Sequence, residues 1–234
     1  MKAKAVVFPA RNRVSFQEVD CPDPGPGDVV VNVTHSWISN GTEGSYLRGE
    51  RIEGDTPIFP GDPEPFPVAA GYQKIGLVDW VGTEVKDLKK GDRVFASVGN
   101  IRGMVEPRAG HISPHVCSRG AVMKLPDTPE PLAYSGLVLT QVGFNCGWRP
   151  QVEEGKPAVV VGDGLVGQWA GQMLASRGAE VILVGRHQDR LAYFQKGETW
   201  LEEKGGWESK LAERYPEGIQ VGVDTVGSLS VMDA

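Results

Sequence analysis

The sequence predicts an α/β protein in which a β-rich N-terminal part is followed by a doubly wound parallel sheet. Short apolar segments separated by glycine and proline fill residues 1–131, and this texture is typical of a β-barrel. The apolar run at residues 158–161 is predicted to be a buried strand, and it ends in a Gly-x-Gly-x-x-Gly turn at 162–167. A helical pattern and a second apolar strand at 180–184 follow, which completes a strand–helix–strand crossover.

The elements of the N-terminal part are short strands joined by turns. Strands are predicted at residues 2–8, 14–19, 29–34, 71–81, 92–98 and 110–124. The segment 49–67 is rich in glycine, proline and aspartate and lacks periodicity, so it is either a cover for a substrate pocket or an ordinary solvated loop. A helical pattern at 132–148 ends this texture, and we therefore predict two domains, residues 1–131 and residues 132–234.

The C-terminal domain continues after the crossover with further helices and strands. Helices are predicted at 188–196 and 207–215, and strands at 199–201 and 219–224. About four strands result, whereas a sheet made of two mononucleotide-binding halves has about six. We therefore expect an incomplete sheet, a chain that is a fragment or a truncated member of its family, and an edge strand that favours association.

The glycine turn is predicted to bind a dinucleotide. Gly162 permits the tight turn, Gly164 leaves room for the pyrophosphate, and Gly167 lets the helix pack closely on the strand. Leu165 and Val166 lie in the first turn of the helix, whose amide groups and positive dipole end face the phosphates. A purely structural glycine turn is the alternative. Asp163 would repel a pyrophosphate unless its side chain points away.

The end of the second strand predicts which cofactor is bound. An acid there accepts hydrogen bonds from an unmodified ribose, whereas an arginine accommodates a 2′-phosphate. This chain has Gly185 and Arg186 at that point and Arg190 shortly after, so we predict NADP(H) rather than NAD(H). The alternative is that both arginines are merely solvated. Gly185→Asp combined with Arg186→Ala is expected to reverse the preference.

Composition and charge restrict the classes of partner. The chain has 24 Lys and Arg against 30 Asp and Glu, a net charge of −6, and no basic block, which argues against nucleic acid or an anionic membrane as the main partner. No apolar run approaches the roughly 20 residues of a membrane span, and the N-terminus resembles a strand rather than a signal peptide. The three scattered cysteines fit a reducing compartment, so we predict a cytoplasmic protein that acts on a small molecule.

Five motifs follow one another along the chain in an order that can be compared with known families. It contains Pro-Asp-Pro-Gly-Pro-Gly-Asp-Val at 22–29, Ser-Asn-Gly-Thr-Glu at 39–43, Gly-Tyr-Gln-Lys-Ile-Gly at 71–76, Lys-Gly-Asp-Arg-Val at 90–94 and the glycine turn. In this order the motifs resemble the medium-chain dehydrogenase/reductase superfamily. The resemblance implies a GroES-like barrel followed by a Rossmann domain, hydride chemistry in the cleft between them, Thr225 near the cofactor and a possible homodimer.

The chain departs from the zinc-dependent members of that superfamily. Asn40 stands where they have a cysteine ligand and Tyr72 where they have a histidine ligand, and the four-cysteine structural zinc lobe is absent. We therefore predict no zinc. His111 and His115 are four residues apart, but Pro114 and the strand pattern between them separate such residues by roughly 13 Å.

A metal-free site needs another group to stabilise the oxyanion of a carbonyl or enone substrate. Tyr72, Thr42 and Asn40 lie on the matched segments and can donate hydrogen bonds to such an oxygen. The alternative is structural: Tyr72 as a barrel aromatic, and Thr42 and Asn40 as residues that order a loop.

The predicted function is an NADP(H)-dependent, zinc-independent oxidoreductase that moves hydride to or from a carbonyl, an alcohol or a conjugated enone. Quinone oxidoreductases, enoyl reductases, bacteriochlorophyllide dehydrogenases and threonine-dehydrogenase-like proteins are similar branches. Two alternatives remain open: a nucleotide-binding module or decayed dehydrogenase without turnover, and a zinc alcohol dehydrogenase with unusual ligands.

Overall fold

The computed structural model describes residues 1–51, 58–105, 108–128, 130–202 and 206–227. It divides into two compact units, residues 1–137 and residues 138–234. The division falls shortly after the predicted boundary at residue 131. The segment predicted as a long loop at 49–67 lies partly outside the described residues.

The first unit is built from antiparallel strands. They are β1 (Lys2–Ala10), β2 (Arg13–Asp20), β3 (Asp28–Ser36), β4 (Lys74–Val81), β5 (Arg93–Ala96), β6 (Ile112–Ser113), β7 (His115–Ser118) and β8 (Val122–Lys124). One sheet has the order β2-β1-β6 and the other the order β7-β3-β4-β5-β8. The predicted GroES-like barrel architecture is confirmed, although the segment 110–124 forms three short strands instead of one.

Alternating burial explains why these segments are strands. In β1, Ala3, Ala5 and Val7 are buried and pack into one core cluster, while their neighbours Lys2 and Lys4 are exposed. In β3, Val29 and Val31 belong to a second cluster on the other side of the sheet from Val30. Each sheet therefore has a face that contributes to the core, as the strand period predicts.

One helix of this unit, α1 (Asn40–Leu47), does not follow from the sequence pattern. Gly41 and Gly44 lower its intrinsic helix propensity, and its apolar residues are too few to show a helical period. Tertiary contacts stabilise it instead, because Tyr46 is 2% exposed and packs in a cluster with Phe8 and Val68.

The second unit is a parallel sheet with helices. Its elements are α2 (Leu137–Trp148), β9 (Pro157–Val161), α3 (Leu165–Ser176), β10 (Glu180–Gly185), α4 (Gln188–Leu191), β11 (Glu198–Leu201), α5 (Trp207–Arg214) and β12 (Val221–Asp224). The strand order is β11-β10-β9-β12, and every pairing is parallel. This confirms the predicted Rossmann-type sheet with four strands in the described part of the chain.

Both faces of this sheet are buried. Val160 and Leu183 pack on one face with α3, while Val159, Ile182 and Trp200 pack on the other. Burial on both sides is the reason that β9 and β10 are continuous apolar runs. Among the described helices, none has both the length and the apolar character needed to cross a bilayer.

Candidate functional site

The glycine turn joins β9 to α3 at the carboxyl edge of the parallel sheet. Gly162 has φ of +117°, a conformation that side chains other than glycine rarely adopt, and its amide donates to the carbonyl of Val184 on β10 (2.8 Å). A Cβ at Gly167 would lie 1.9 Å from the carbonyl oxygen of Gly162. Two of the three glycines are therefore required by the fold itself.

Gly164 differs from the other two glycines. It is the N-cap of α3 with φ −75° and ψ −179°, which any residue can adopt, and no atom lies within 4 Å of the Cβ that a side chain would add. The first amides of α3, at Leu165 and Val166, have no partner within the helix. The open space at Gly164 beside free helix amides fits the pyrophosphate of a dinucleotide.

Thr225, which follows β12, packs against the same turn. Its hydroxyl donates to the carbonyl of Val161 (2.9 Å) and lies 2.2 Å from the position of a Cβ on Gly162. The structure thus places Thr225 beside the glycine turn, and its predicted contact with the cofactor stays a prediction.

The end of β10 carries the residues predicted to select the cofactor. Gly185 is the last residue of the strand, and Arg186 and His187 lead into α4. The Arg190 side chain is 53% exposed, and its carbonyl accepts from Gln168 of α3 (2.9 Å), which holds α4 beside the glycine turn. Arg186 is exposed and has no ion-pair partner within the described residues.

The Asp163 side chain lies at the end of β10. Oδ2 accepts hydrogen bonds from the amides of Arg186 (2.8 Å) and His187 (2.7 Å), and Nδ1 of His187 is 2.9 Å away. Burial raises the pKa of Asp163, but the hydrogen bonds from His187 and Arg186 outweigh it and hold this pKa below its usual value.

A side chain at position 185 does not fit beside Asp163. A Cβ on Gly185 would lie 2.5 Å from the Asp163 Cβ, so the substitution Gly185→Asp needs Asp163 replaced as well. The expected reversal of cofactor preference by Gly185→Asp and Arg186→Ala therefore needs this correction.

In the first unit, α1 carries two of the predicted catalytic residues. Asn40 is its first residue and is exposed, and Thr42 is half-buried, with its carbonyl accepting from the Ser45 hydroxyl (2.7 Å). Neither Asn40 nor Thr42 makes a side-chain hydrogen bond within the described part of the chain. Both side chains are thus available as donors, and their catalytic role stays a prediction.

A buried polar network beside α1 was not predicted as part of the site. Oε2 of Glu43 is 2.6 Å from Nε2 of His111, and Nδ1 of His111 is 2.7 Å from the Ser36 hydroxyl. Oε1 of Glu43 accepts from the amide of Ser39 (2.8 Å), the residue that precedes the helix. The Glu43 side chain is 5% exposed and that of His111 13%. The sequence marks His111 only through its spacing of four residues from His115, which suggests a metal ligand.

Tyr72 lies next to this network. Gly71 has φ of +92° and packs on Gly110 so closely that a Cβ on Gly71 would be 2.8 Å from the Gly110 Cα and 3.2 Å from Nε2 of His111. The two segments therefore run against each other. Tyr72 is half-buried, and its hydroxyl makes no hydrogen bond to any residue that the structure describes.

Comparison with known proteins supports the reading of these motifs. No protein-family model matches the chain. The 2-desacetyl-2-hydroxyethyl bacteriochlorophyllide A dehydrogenase of Cereibacter sphaeroides is 29% identical over 203 residues, which cover 79% of this chain and 56% of that protein. The chain thus spans little more than half the length of this curated relative.

Solved structures show the same fold. A protein of Sinorhizobium meliloti, provisionally named a zinc-binding dehydrogenase and solved bound to NADP, matches with a TM-score of 0.75 and 23% identity over 99% of this chain and 72% of that one. A protein of Escherichia coli, described as a short chain alcohol dehydrogenase complexed with NADH, matches with a TM-score of 0.78 and 20% identity over 99% and 71%. These comparisons support the resemblance of the chain to the medium-chain dehydrogenase/reductase superfamily.

In the motif resemblance, Asn40 and Tyr72 stand at the positions of the zinc ligands of zinc-dependent members. Neither an amide nor a phenol replaces a thiolate or an imidazole as a tight zinc ligand. Across the described ranges, no three His, Cys, Asp or Glu side chains form a group that could hold a metal ion. His111 and His115 contact different groups, since His115 lies in the core at the start of β7.

The barrel of the first unit also contains a buried lysine that the sequence pattern does not predict. Lys74 has no exposed surface, and its ammonium group donates to the carbonyl of Ser97. Burial lowers the pKa of Lys74 to about 7. Burial and the nearby Lys74 lower the pKa of His115 to about 2, and burial raises that of Cys117 to about 12.

Proposed function

We propose that this protein is an oxidoreductase that binds NADP(H) in preference to NAD(H), uses no zinc, and transfers hydride to or from a carbonyl, an alcohol or a conjugated enone. The observation that supports it most is the glycine turn between β9 and α3, with open space at Gly164, Arg186 directly after β10 and Arg190 in α4. The named relative is itself a dehydrogenase.

Different residues of the chain are proposed to bind different parts of the cofactor. The amides of Leu165 and Val166 at the start of α3 would hold the pyrophosphate, and Gly164 leaves the space for it. Arg186 and Arg190 would hold the 2′-phosphate as cationic donors. When bound, the nicotinamide supplies or accepts the hydride.

Tyr72 is proposed to act on the substrate oxygen. The Tyr72 hydroxyl has no hydrogen-bond partner among the described residues, and such a phenol can donate a hydrogen bond to an oxygen that becomes negative as hydride arrives. The closed hydrogen-bonded network of Glu43, His111 and Ser36 fixes the neighbouring segment, so the position of Tyr72 is constrained from that side. Thr42 and Asn40 on α1 are proposed as further donors.

A turnover assay with matched variants tests this proposal. NADPH oxidation would be followed with a panel of aldehydes, quinones and conjugated enones, with the zinc content measured on the same sample. We expect turnover without zinc, and we expect Tyr72→Phe to lower kcat by roughly a hundredfold, as loss of one oxyanion donor does. Tyr134→Phe, which changes another half-buried tyrosine of the same unit, should leave kcat unchanged.

Other outcomes would contradict parts of the proposal. Tight binding of NADPH without turnover on any substrate would indicate a nucleotide-binding module. One zinc per chain, with activity lost on chelation, would contradict the metal-free mechanism. Equal activity of Tyr72→Phe and wild type would exclude the phenol as a donor.

A further inference from the structure

The carboxylate of Asp163 occupies the place at the end of β10 that a strand-end side chain would otherwise fill. Although Asp163 belongs to the glycine turn, its Oδ2 lies 2.8 Å and 2.7 Å from the amides of Arg186 and His187. A Cβ on Gly185 would meet the Asp163 side chain at 2.5 Å from Cβ and 2.6 Å from Oδ2. Side chains at 163 and 185 therefore exclude each other.

The position of the Asp163 carboxylate at the end of β10 matters for the choice between NADP(H) and NAD(H). In dinucleotide-binding sheets, an acid at the end of the second strand disfavours a 2′-phosphate and favours an unmodified ribose. Here Gly185 has no side chain, and the negative charge reaches the same place from the glycine turn. The amides of Arg186 and His187 donate to this internal carboxylate and are thus not free to bind a phosphate oxygen.

The charges around Asp163 are mixed. Its side chain is 6% exposed, and among the residues that the structure describes only two cationic side chains approach it: His187, with Nδ1 at 2.9 Å, and Arg190, with a guanidinium nitrogen at 3.6 Å. Arg186 contributes its amide, while its exposed side chain has no acidic partner among the described residues. One buried carboxylate thus lies beside Arg190 and accepts from the backbone of Arg186, the two arginines expected to attract the 2′-phosphate.

We propose that Asp163 is a specificity-determining residue that weakens binding of the 2′-phosphate and so sets how far the site prefers NADP(H) over NAD(H). This inference rests on the proposed cofactor function. Arg186 and Arg190 supply the attraction, and Asp163 opposes it from the position of the missing strand-end acid. The preference is the balance between the two.

Asp163→Asn tests the charge separately from the shape. The amide oxygen of Asn can accept from the same backbone amides, so the segment keeps its anchor while the negative charge is lost. Calorimetric titration with 2′,5′-ADP and with 5′-ADP measures the adenosine half of the site alone. We expect Asp163→Asn to bind 2′,5′-ADP about tenfold more tightly, which is the scale of one charge several ångströms away in a partly buried site. Its affinity for 5′-ADP should change less than twofold.

Asp189→Asn is the matched control, because Asp189 is an exposed acid in the first turn of α4. It should change neither affinity more than about twofold, as expected for a screened surface charge. An unchanged or weaker affinity of Asp163→Asn for 2′,5′-ADP, with 5′-ADP binding intact, would overturn the proposal.

A second pair of variants tests the proposal if Asp163→Asn loses its local structure. In Asp163→Gly the space beside residue 185 is free, and adding Gly185→Asp moves the carboxylate onto the strand. The double variant should bind 2′,5′-ADP roughly tenfold more weakly than Asp163→Gly alone. Equal affinities would contradict the role of the carboxylate.

The wild-type chain distinguishes failure of the proposed function from failure of this inference. If it binds neither 2′,5′-ADP nor 5′-ADP, the proposed function is overturned too. If it binds both and the Asp163 variants have no effect, this inference alone is overturned.

Discussion

Lys74 carries its amine into the barrel core with no exposed surface. Its pKa of about 7 lies far below the ordinary value of 10.5, so the folded chain gives up a proton that the unfolded chain keeps between these values. Unfolding therefore takes up a proton in that range, and the free energy of unfolding rises with pH. Above pH 9 the buried Cys117 acts in the opposite direction, because its pKa is raised to about 12.

The prediction is a rise in stability between pH 7 and pH 9. Each pH unit near the middle of the range should add about 1.4 kcal/mol to the free energy of unfolding. Lys74→Met, which keeps an unbranched apolar chain, should abolish most of the rise, while Lys196→Met at an exposed position should not. Urea denaturation at several pH values measures this. Parallel curves for wild type and Lys74→Met would show that the lysine is not buried as described.

The buried pair of Glu43 and His111 leads to a second prediction at the level of single residues. His111→Ala removes the partner of a carboxyl oxygen that is buried, so the free energy of unfolding should fall by about 2–4 kcal/mol. His35→Ala, which changes an exposed histidine on β3, should alter it by less than about 0.5 kcal/mol. Thermal or urea denaturation measures the free energy of unfolding of both variants. Equal losses in the two variants would mean that the network adds no stability.

At the scale of elements, the three glycines of the turn have separable roles. Gly167→Ala places a methyl group against the carbonyl of Gly162, and the backbone must move, so we expect a loss of about 1–3 kcal/mol of stability. Gly164→Ala meets no atom within 4 Å and should change stability by less than about 0.5 kcal/mol.

For cofactor binding, Gly164→Ala is the variant expected to cause a loss. Because the open space at Gly164 is the proposed position of the pyrophosphate, Gly164→Ala should weaken NADPH binding by roughly tenfold or more while the chain stays folded. Denaturation and fluorescence titration on the same samples give both quantities. Unchanged affinity for NADPH in Gly164→Ala would place the pyrophosphate elsewhere.

The sequence patterns predicted the elements that depend on local signals. The apolar run of β9, the glycine turn and β10 follow from buried strands and from backbone geometry that only glycine allows, and each is present. The helix α1 could not be predicted, since buried Tyr46 and Glu43 stabilise it through contacts distant in sequence. The predicted helix at 188–196 is also shorter, ending at Leu191 as α4.

At the scale of the whole molecule, the order of motifs along the chain predicted the fold of the two units that the structure shows. The charges of the candidate site were harder to foresee. The role of Asp163 depends on where its side chain points, and the pairing of Glu43 with His111 joins residues far apart in sequence. Neither the direction of the Asp163 side chain nor the Glu43–His111 pair follows from a sequence period or a fixed spacing, so both are seen only in the fold.

The most direct test of the account is a titration of the purified chain with NADPH and with NADH, followed by tryptophan fluorescence, for wild type, Arg186→Ala and the exposed control Arg149→Ala. We predict that wild type and Arg149→Ala bind NADPH at least roughly tenfold more tightly than NADH, since an arginine contact to phosphate is worth that much or more. Arg186→Ala should lose this preference. Tighter binding of NADH by wild type, or a preference that survives Arg186→Ala, would contradict the account.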